Sequence, residues 1–81
     1  MKFRKKPLVI EAIQYDGLNA DAVADFAAPQ LIKMLGGFRL GIPTPEGEMV
    51  ANKNDWVIRG VKGEIYPCKP DIFEATYETE K

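Results

Sequence analysis

The chain has 81 residues, of which 46% are hydrophobic and 28% are charged, and its 11 basic and 12 acidic side chains give a net charge of -1. This composition argues against wholesale disorder, and the near-zero charge supplies no general attraction to nucleic acid or anionic lipid. We expect one domain, residues 1–81, whose small core would gain from oligomerisation.

The cysteine content and the N-terminus bear on the cellular setting. Cys68 is the one cysteine of the chain, whereas a small secreted domain normally carries several paired cysteines. Glu11, Gln14 and Asp16 interrupt the apolar run that an export signal needs, and no stretch reaches the ~20 apolar residues of a membrane span. We therefore expect a cytoplasmic protein without membrane contact.

The first predicted element is a strand over residues 8–15, LVIEAIQY, which lies between Pro7 and Asp16-Gly17 and is rich in branched and aromatic side chains. Apolar side chains occur on both of its faces, so we expect it to lie centrally in a sheet, with a helix covering one side. Glu11 then requires a partner or an edge position.

A short helix is predicted next, over residues 19–28. Asn19 is suited to accept hydrogen bonds from the first free amides as N-cap, and Leu18 and Val23 have the spacing of a hydrophobic staple. Pro29 ends this helix because proline cannot continue its hydrogen bonding.

The middle of the chain consists of short runs separated by turn formers. Residues 30–35 are predicted as a further turn, and Gly36-Gly37 reverses the chain. The short apolar runs that follow predict an antiparallel meander, with hairpin turns at Pro45-Glu46-Gly47 and Lys62-Gly63. Pro43 and Pro67 belong on edges, at strand ends or at bulges, because proline cannot donate to a strand ladder.

The C-terminal residues complete the predicted fold. Lys69-Pro70-Asp71 begins a helical turn, and residues 75–80, ATYETE, are predicted to be extended and to pair with the first strand. The predicted fold class is α+β: a small antiparallel sheet of five or six strands with one packed helix.

Two segments of the chain resemble a known family. The start, KKPLVIEAIQYDG, and the end, NDWVIRGVKGEIYPCKPDIFEATYE, are similar to those of a family of short bacteriophage and prophage proteins. The resemblance implies a phage origin and the cytoplasm of an infected host cell, and it supplies no catalytic residue. Asn54 stands where similar sequences often have glycine.

Cys68 is the first candidate for chemistry. Its thiolate would be a nucleophile, and the adjacent Lys69 would lower the thiol pKa, but a cysteine enzyme normally needs a histidine base and this chain has none. A packed, inert cysteine is the favoured interpretation.

Carboxylates are the second candidate. Glu11, Glu64, Asp71 and Glu74 offer acid and base groups, yet nothing in the sequence fixes their separation, so we do not expect an enzyme. Without histidine and without a calcium-loop spacing, we predict no metal site and no cofactor.

Basic residues suggest two binding alternatives. The arm formed by Lys2, Arg4, Lys5 and Lys6 could contact phosphates, with Trp56 or Tyr66 stacking on a base. A solvated N-terminus and a core or interface role for Trp56 are the commoner outcomes, so nucleic-acid binding is disfavoured.

The other alternative is a pocket between subunits for a nucleotide-like anion. Arg59, Lys62 and Lys69 would supply positive charge beside Trp56 and Tyr66, and such a site would sequester a host signalling nucleotide. The same cations also suit exposed strand edges, where lysine discourages aggregation, and this simpler interpretation is preferred.

The sequence therefore predicts a small non-enzymatic binding module that acts as a phage accessory protein. We expect a homo-oligomer because the core is small and because Trp56, Ile58, Tyr66 and Phe73 offer apolar contacts. A host protein and a nucleotide-like ligand are the alternative partners.

Overall fold

The computed structural model describes residues 1–3 and 9–78. This part of the chain has an α+β fold, as predicted, but its strands form two three-stranded antiparallel sheets and it contains a second helix. The strands are β1 Glu11–Gln14, β2 Lys33–Gly36, β3 Arg39–Thr44, β4 Gly47–Asn52, β5 Trp56–Arg59 and β6 Ile65–Cys68, and the helices are α1 Ala20–Ala27 and α2 Pro70–Thr76.

Sheet A has the strand order β1-β5-β6, and sheet B has the order β2-β3-β4. Strand β6 packs against β3 and β4, which brings the two sheets together. The core between them and α1 is apolar; its buried members are Tyr15, Val23, Ala27, Leu40, Ile42, Ala51, Val57 and Ile65.

Strand β1 is shorter than predicted and lies at an edge. It begins at Glu11 and pairs with β5, so among the described residues the expected central position is wrong. The edge position is consistent with the exposure of Glu11, whereas Ala12 and Ile13 on the same strand are partly buried.

The start of α1 differs from its prediction. Asn19 makes no side-chain cap; its amide instead accepts the N–H of Asp16 at 2.9 Å and donates to the carbonyl of Gln14 at 2.8 Å. Leu18 is exposed, so the predicted hydrophobic staple to Val23 does not form. The side chain of Asn19 is used to hold the loop before the helix and is unavailable to the helix itself.

The predicted turn over residues 30–35 is wrong, because β2 occupies Lys33–Gly36 and pairs with β3 across a bulge between Met34 and Gly36. The reversal at Gly36-Gly37 is confirmed, since both glycines have positive φ angles of 81° and 60°. Both hairpin turns are also confirmed: Pro45-Glu46 joins β3 to β4, and Lys62-Gly63 lies between β5 and β6.

The C-terminal helix is longer than the single turn predicted. Proline is at its N-terminus, Asp71 lies in its first turn, and the Thr76 hydroxyl donates to the Ile72 carbonyl at 2.8 Å. Ala75 and Thr76 are therefore helical rather than extended, and no strand follows α2 in the part that is described; Thr79 and Glu80 lie outside it. Neither described helix is long and apolar enough to cross a bilayer.

Candidate interaction surface

Three loops meet at one end of the molecule around Phe38. The loop before α1 contributes Gly17 and Leu18, the turn before β3 contributes Phe38, and the turn after β4 contributes Lys53. The ammonium of Lys53 lies 5.5 Å from the centre of the Phe38 ring. We call Leu18, Phe38 and Lys53 the Phe38 surface.

Phe38 has an unusual backbone. Its φ is 57°, in the left-handed region that bulky side chains rarely enter, and such a conformation costs about 1–3 kcal/mol. The guanidinium of Arg39 donates to the carbonyls of Gly36 at 3.3 Å and Leu35 at 3.4 Å, which fixes the turn. The strained backbone presents a ring that is 53% exposed.

Gly17 lies close to the ring of Phe38. Its φ is 92°, and a Cβ at this position would lie 3.1 Å from Cδ1 of Phe38 and 3.4 Å from Cδ of Lys53. A side chain at this position would be strained by the positive φ and would displace the Phe38 ring by a few tenths of an ångström. Leu18, the next residue in the chain, is 90% exposed and adds a second exposed apolar side chain to this end of the molecule.

The turn that carries Lys53 is tied to the end of β1. The N–H of Asn54 donates to the carbonyl of Tyr15, the N–H of Tyr15 donates to the carbonyl of Asp55 at 2.9 Å, and the side chain of Gln14 donates to the carbonyl of Asn54 at 2.9 Å. Asn54 has a φ of 77°. Asparagine tolerates this left-handed conformation better than most residues with a side chain, so the turn forms without a glycine at this position.

Asp55 is the important residue that sequence reasoning missed. It is buried, and its Oδ2 accepts the N–H of Asn52 at 2.9 Å and the ammonium of Lys69 at 3.2 Å. Its place in the sequence could have indicated this role. Asp55 follows the turn residues Lys53-Asn54 and precedes an apolar strand, and an aspartate side chain in such a position often accepts a hydrogen bond from the backbone of the turn. This carboxylate links the β4–β5 turn to the start of α2.

Trp56 and Tyr66, two residues of the predicted nucleotide pocket, lie on the face of sheet A that α2 covers. Trp56 stacks on Phe73 with 4.1 Å between ring centres and 9° between planes, and Phe73 contacts Tyr77 at 5.0 Å. Burial, and then Tyr77 through its charge and a hydrogen bond, raises the pKa of Tyr66. These rings are used to hold α2 within the chain.

Arg59 lies on the opposite face of sheet A. It is three residues from Trp56 on β5, and alternate side chains of a strand point to opposite faces. Its guanidinium lies 5.0 Å from the centre of the Phe26 ring and donates to the Phe26 carbonyl, which fixes the end of α1.

The remaining two residues of the predicted pocket are also separated. Lys69 binds Asp55, and Lys62 is exposed in the β5–β6 loop, where its N–H donates to Glu64 Oε1 at 3.3 Å. One copy of the chain therefore does not bring the five residues onto one face. A pocket completed by a second copy stays a prediction.

The environment of Cys68 opposes nucleophilic use. Burial, followed by the charges of Asp55 and Asp71, raises the pKa of its thiol. The expected lowering by Lys69 is wrong because the Lys69 ammonium binds Asp55. The thiol donates weakly to the Lys69 carbonyl at 3.6 Å.

The four predicted carboxylates are distributed over separate elements. Glu11 is on β1, Glu64 is in the β5–β6 loop, and Asp71 and Glu74 are on α2. Within residues 1–3 and 9–78, no group of three or more histidine, cysteine, aspartate or glutamate side chains could hold a metal ion.

Of the predicted basic arm, Lys2 is exposed, and Arg4, Lys5 and Lys6 lie outside the described residues. A depression of about 270 Å³ between the sheets is lined by Gln30, Pro43, Thr44, Pro45, Glu64 and Ile65. Its lining carries a carboxylate and no cation, which does not suit a nucleotide-like anion.

Comparison of this chain with family models, with curated proteins and with solved structures found no match.

Proposed function

We propose that the protein is a small, non-enzymatic binding module that docks a partner protein through the Phe38 surface. The observation that carries this proposal is the backbone of Phe38, which has a φ of 57° and yet presents a half-exposed aromatic ring. A bulky side chain that occupies a strained turn and is only half buried contributes little to the stability of the fold, so its placement favours a role in binding.

Contacts within the chain do not fully offset the strain in the backbone of Phe38. The left-handed backbone costs about 1–3 kcal/mol, and full burial of a phenylalanine side chain contributes about 1.5–3 kcal/mol. Phe38 is 53% exposed, so its burial within the chain offsets the backbone cost only in part. A partner that covers the ring supplies the remainder, as aromatic anchors do at protein interfaces.

The chemistry of the surface defines the partner. Phe38 and the exposed Leu18 require an apolar pocket, and the ammonium of Lys53 beside the ring requires an acidic side chain at the pocket rim. Asp16, two residues before Leu18, is exposed, and its negative charge would repel the phosphates of a nucleic acid. A protein fits this surface better than a nucleic acid does.

The phage resemblance agrees with such a role. Similarity to short phage and prophage proteins implies an infected bacterial cell, where a small module can act by occupying the surface of a host protein. The function we propose is therefore that of a cytoplasmic phage accessory protein, without catalysis and without a cofactor.

A random peptide library displayed to the immobilised protein tests the proposal. We expect the selected peptides to combine an aromatic or long aliphatic side chain with an acidic one. Phe38→Gly should weaken their binding at least about tenfold, and Lys53→Glu should change the selected charge from acidic to basic.

Val61 supplies the matched control, because it is an apolar residue that is 66% exposed and lies in the β5–β6 loop. Val61→Gly should leave peptide binding unchanged. Peptides that bind wild type and Phe38→Gly equally, or a selection that does not depend on residue 53, would contradict the proposed surface.

A further inference from the structure

Pro43 determines which residue pairs of the β3–β4 hairpin are hydrogen-bonded and which are not. Pro43 is paired with Glu48, and Thr44 is paired with Gly47 at the turn. Because proline has no N–H, the Pro43–Glu48 pair cannot exchange two hydrogen bonds. The doubly bonded pair is Thr44–Gly47.

Doubly bonded pairs alternate along an antiparallel ladder, so Met49 and Ala51 bond to β3. The N–H and C=O groups of Glu48, Val50 and Asn52 therefore point away from β3, along the outer edge of β4. Among the described residues, those of Asn52 are bound by Asp55, whereas those of Glu48 and Val50 face no paired strand, because β4 pairs with β3 alone.

The side chains of this edge do little to protect it. Met49 and Val50 are each 40% exposed. Glu48 is the one charged residue of β4, and its carboxylate binds the ammonium of Lys33 at 3.3 Å. The carboxylate lies over Gly41, since a Cβ added to Gly41 would be 3.1 Å from it. The charge is thus directed across sheet B rather than outward from its edge.

Two other edges of the described sheets carry the usual protection against strand pairing. Strand β2 has only four residues and is interrupted by a bulge after Met34. Strand β6 contains Pro67 and packs against β3 and β4. By contrast, β4 is six residues long and contains neither proline nor bulge.

We propose that the open edge of β4 binds the same edge of a second copy, antiparallel and about a two-fold axis at Met49. In this register Glu48 lies opposite the partner's Val50, and each such pair exchanges two hydrogen bonds. Met49 then faces the partner's Met49, and sheet B continues from one copy into the other.

Competing registers are less favourable. Placing Glu48 opposite the partner's Glu48 brings like charges together. Placing Val50 opposite the partner's Val50 sets Glu48 against the partner's Asn52, whose backbone groups are already bound by Asp55 of its own chain. The register centred on Met49 is therefore favoured for two reasons. It keeps the two Glu48 side chains apart, and it does not require the backbone groups of Asn52, which are already bound.

This interface differs from the apolar contacts expected from the sequence. Ile58 is buried and Trp56 stacks on Phe73 within one chain, so these residues are already covered. The Phe38 surface lies beyond the Arg39–Asn52 pair, at the other end of the hairpin from Gly47. The dimer leaves that surface free, and either proposal can fail without the other.

Hydrogen exchange of single amides tests the pairing. The amides of Glu48 and Val50 should exchange rapidly in dilute protein and slow by at least about tenfold as the concentration rises from micromolar to millimolar. Those of Met49 and Ala51, bonded to β3 in the monomer, should not respond. Amides of Glu48 and Val50 that exchange rapidly at every concentration would overturn the dimer.

A disulfide provides a second, independent measurement. Residues facing each other in a non-hydrogen-bonded antiparallel pair have Cα atoms ~4.5 Å apart, which suits a disulfide. Met49→Cys, made together with Cys68→Ser, should form a cross-linked dimer on mild oxidation. Met34→Cys in the same background is the control, since Met34 is exposed on the protected edge. Equal cross-linking of both variants, or none at position 49, would contradict the register.

Discussion

Asp55 and Asn52 bind each other through two hydrogen bonds: the Asp55 carboxylate accepts the N–H of Asn52 at 2.9 Å, and the N–H of Asp55 donates to the Asn52 carbonyl at 2.9 Å. This pair closes the corner between sheet B and sheet A. It also places Lys53 beside Phe38 and ends the open edge of β4. The surface proposed for the partner and the edge proposed for self-association therefore share one structural support.

The first prediction concerns that support. Asp55→Ala should lower the free energy of unfolding by about 2–3 kcal/mol, because it leaves the Asn52 N–H unpaired and removes a hydrogen bond to a charged group. Lys69→Met should cost less than about 1 kcal/mol, since the Lys69 side chain is half exposed and such ion pairs contribute little. Urea unfolding measures both, and equal losses would show that the ion pair, rather than the backbone contact, is what stabilises the corner.

The second prediction uses two glycines with similar backbones. Gly17 and Gly63 have φ angles of 92° and 83°, so alanine costs about 1 kcal/mol at either position. At Gly17 the new Cβ also meets Phe38 at 3.1 Å, whereas at Gly63 nothing lies within 4 Å. We expect Gly17→Ala to be the more destabilising in urea unfolding and to weaken peptide binding at the Phe38 surface.

Gly63→Ala is the matched control for backbone strain and should leave peptide binding unchanged. If both variants lose the same stability and neither affects binding, the contact between Gly17 and Phe38 has no importance.

The third prediction addresses the attachment of α2. Phe73→Ala should lower the free energy of unfolding by about 2 kcal/mol, because Phe73 is partly buried and its ring stacks on Trp56. Trp56 is the one tryptophan, so its fluorescence emission should shift to longer wavelength as its ring becomes hydrated. Ile72→Ala, on the same helix but 56% exposed, should do neither. An unchanged emission in Phe73→Ala would indicate that the stack does not shield Trp56.

The fourth prediction concerns alkaline pH. The folded protein raises the pKa of Cys68 above 9.0, mainly through burial, and that of Tyr66 above 10.0. Above these values the unfolded chain has lost both protons while the folded chain retains them, so the free energy of unfolding should fall as pH rises beyond about 9. Urea unfolding between neutral and alkaline pH measures this fall.

Cys68→Ser should reduce the part of the fall that begins near pH 9 and keep the part due to Tyr66. In wild type, iodoacetamide at neutral pH should modify Cys68 more slowly than a free thiol, because less thiolate is present. Rapid labelling at neutral pH would contradict the inert role assigned to this cysteine.

The local features of the fold were predictable because their causes lie within a few residues. The hairpin turns at Pro45-Glu46-Gly47 and Lys62-Gly63 follow from glycine and proline placed between short apolar runs. Asn19 stands at the position of an N-cap, yet its side chain binds the backbone of Asp16 and Gln14 rather than the amides of the helix. Which of these bonds forms depends on the path of the loop before the helix, and the sequence does not give that path.

The division into two sheets and the candidate surface depend on contacts that are distant in sequence. Strand β1 pairs with β5, and Phe38 lies against Gly17 and Lys53, through contacts between residues far apart in the sequence. The sequence Gly-Gly-Phe is that of an ordinary turn, and it predicts neither the exposure of the Phe38 ring nor the positive φ of its backbone. The residues proposed for a pocket between subunits do not share one face of a single chain, because Trp56 and Arg59 are three residues apart on β5 and their side chains point to opposite faces.

The central claim, that Phe38 serves binding rather than folding, is tested most directly by the free energy of unfolding of Phe38→Gly. Glycine accepts the φ of 57° without strain, so relief of the backbone should offset the loss of a half-exposed ring. We predict a free energy of unfolding within about 1 kcal/mol of wild type, or above it. A loss of more than about 2 kcal/mol would show that Phe38 stabilises the fold, and would contradict the account.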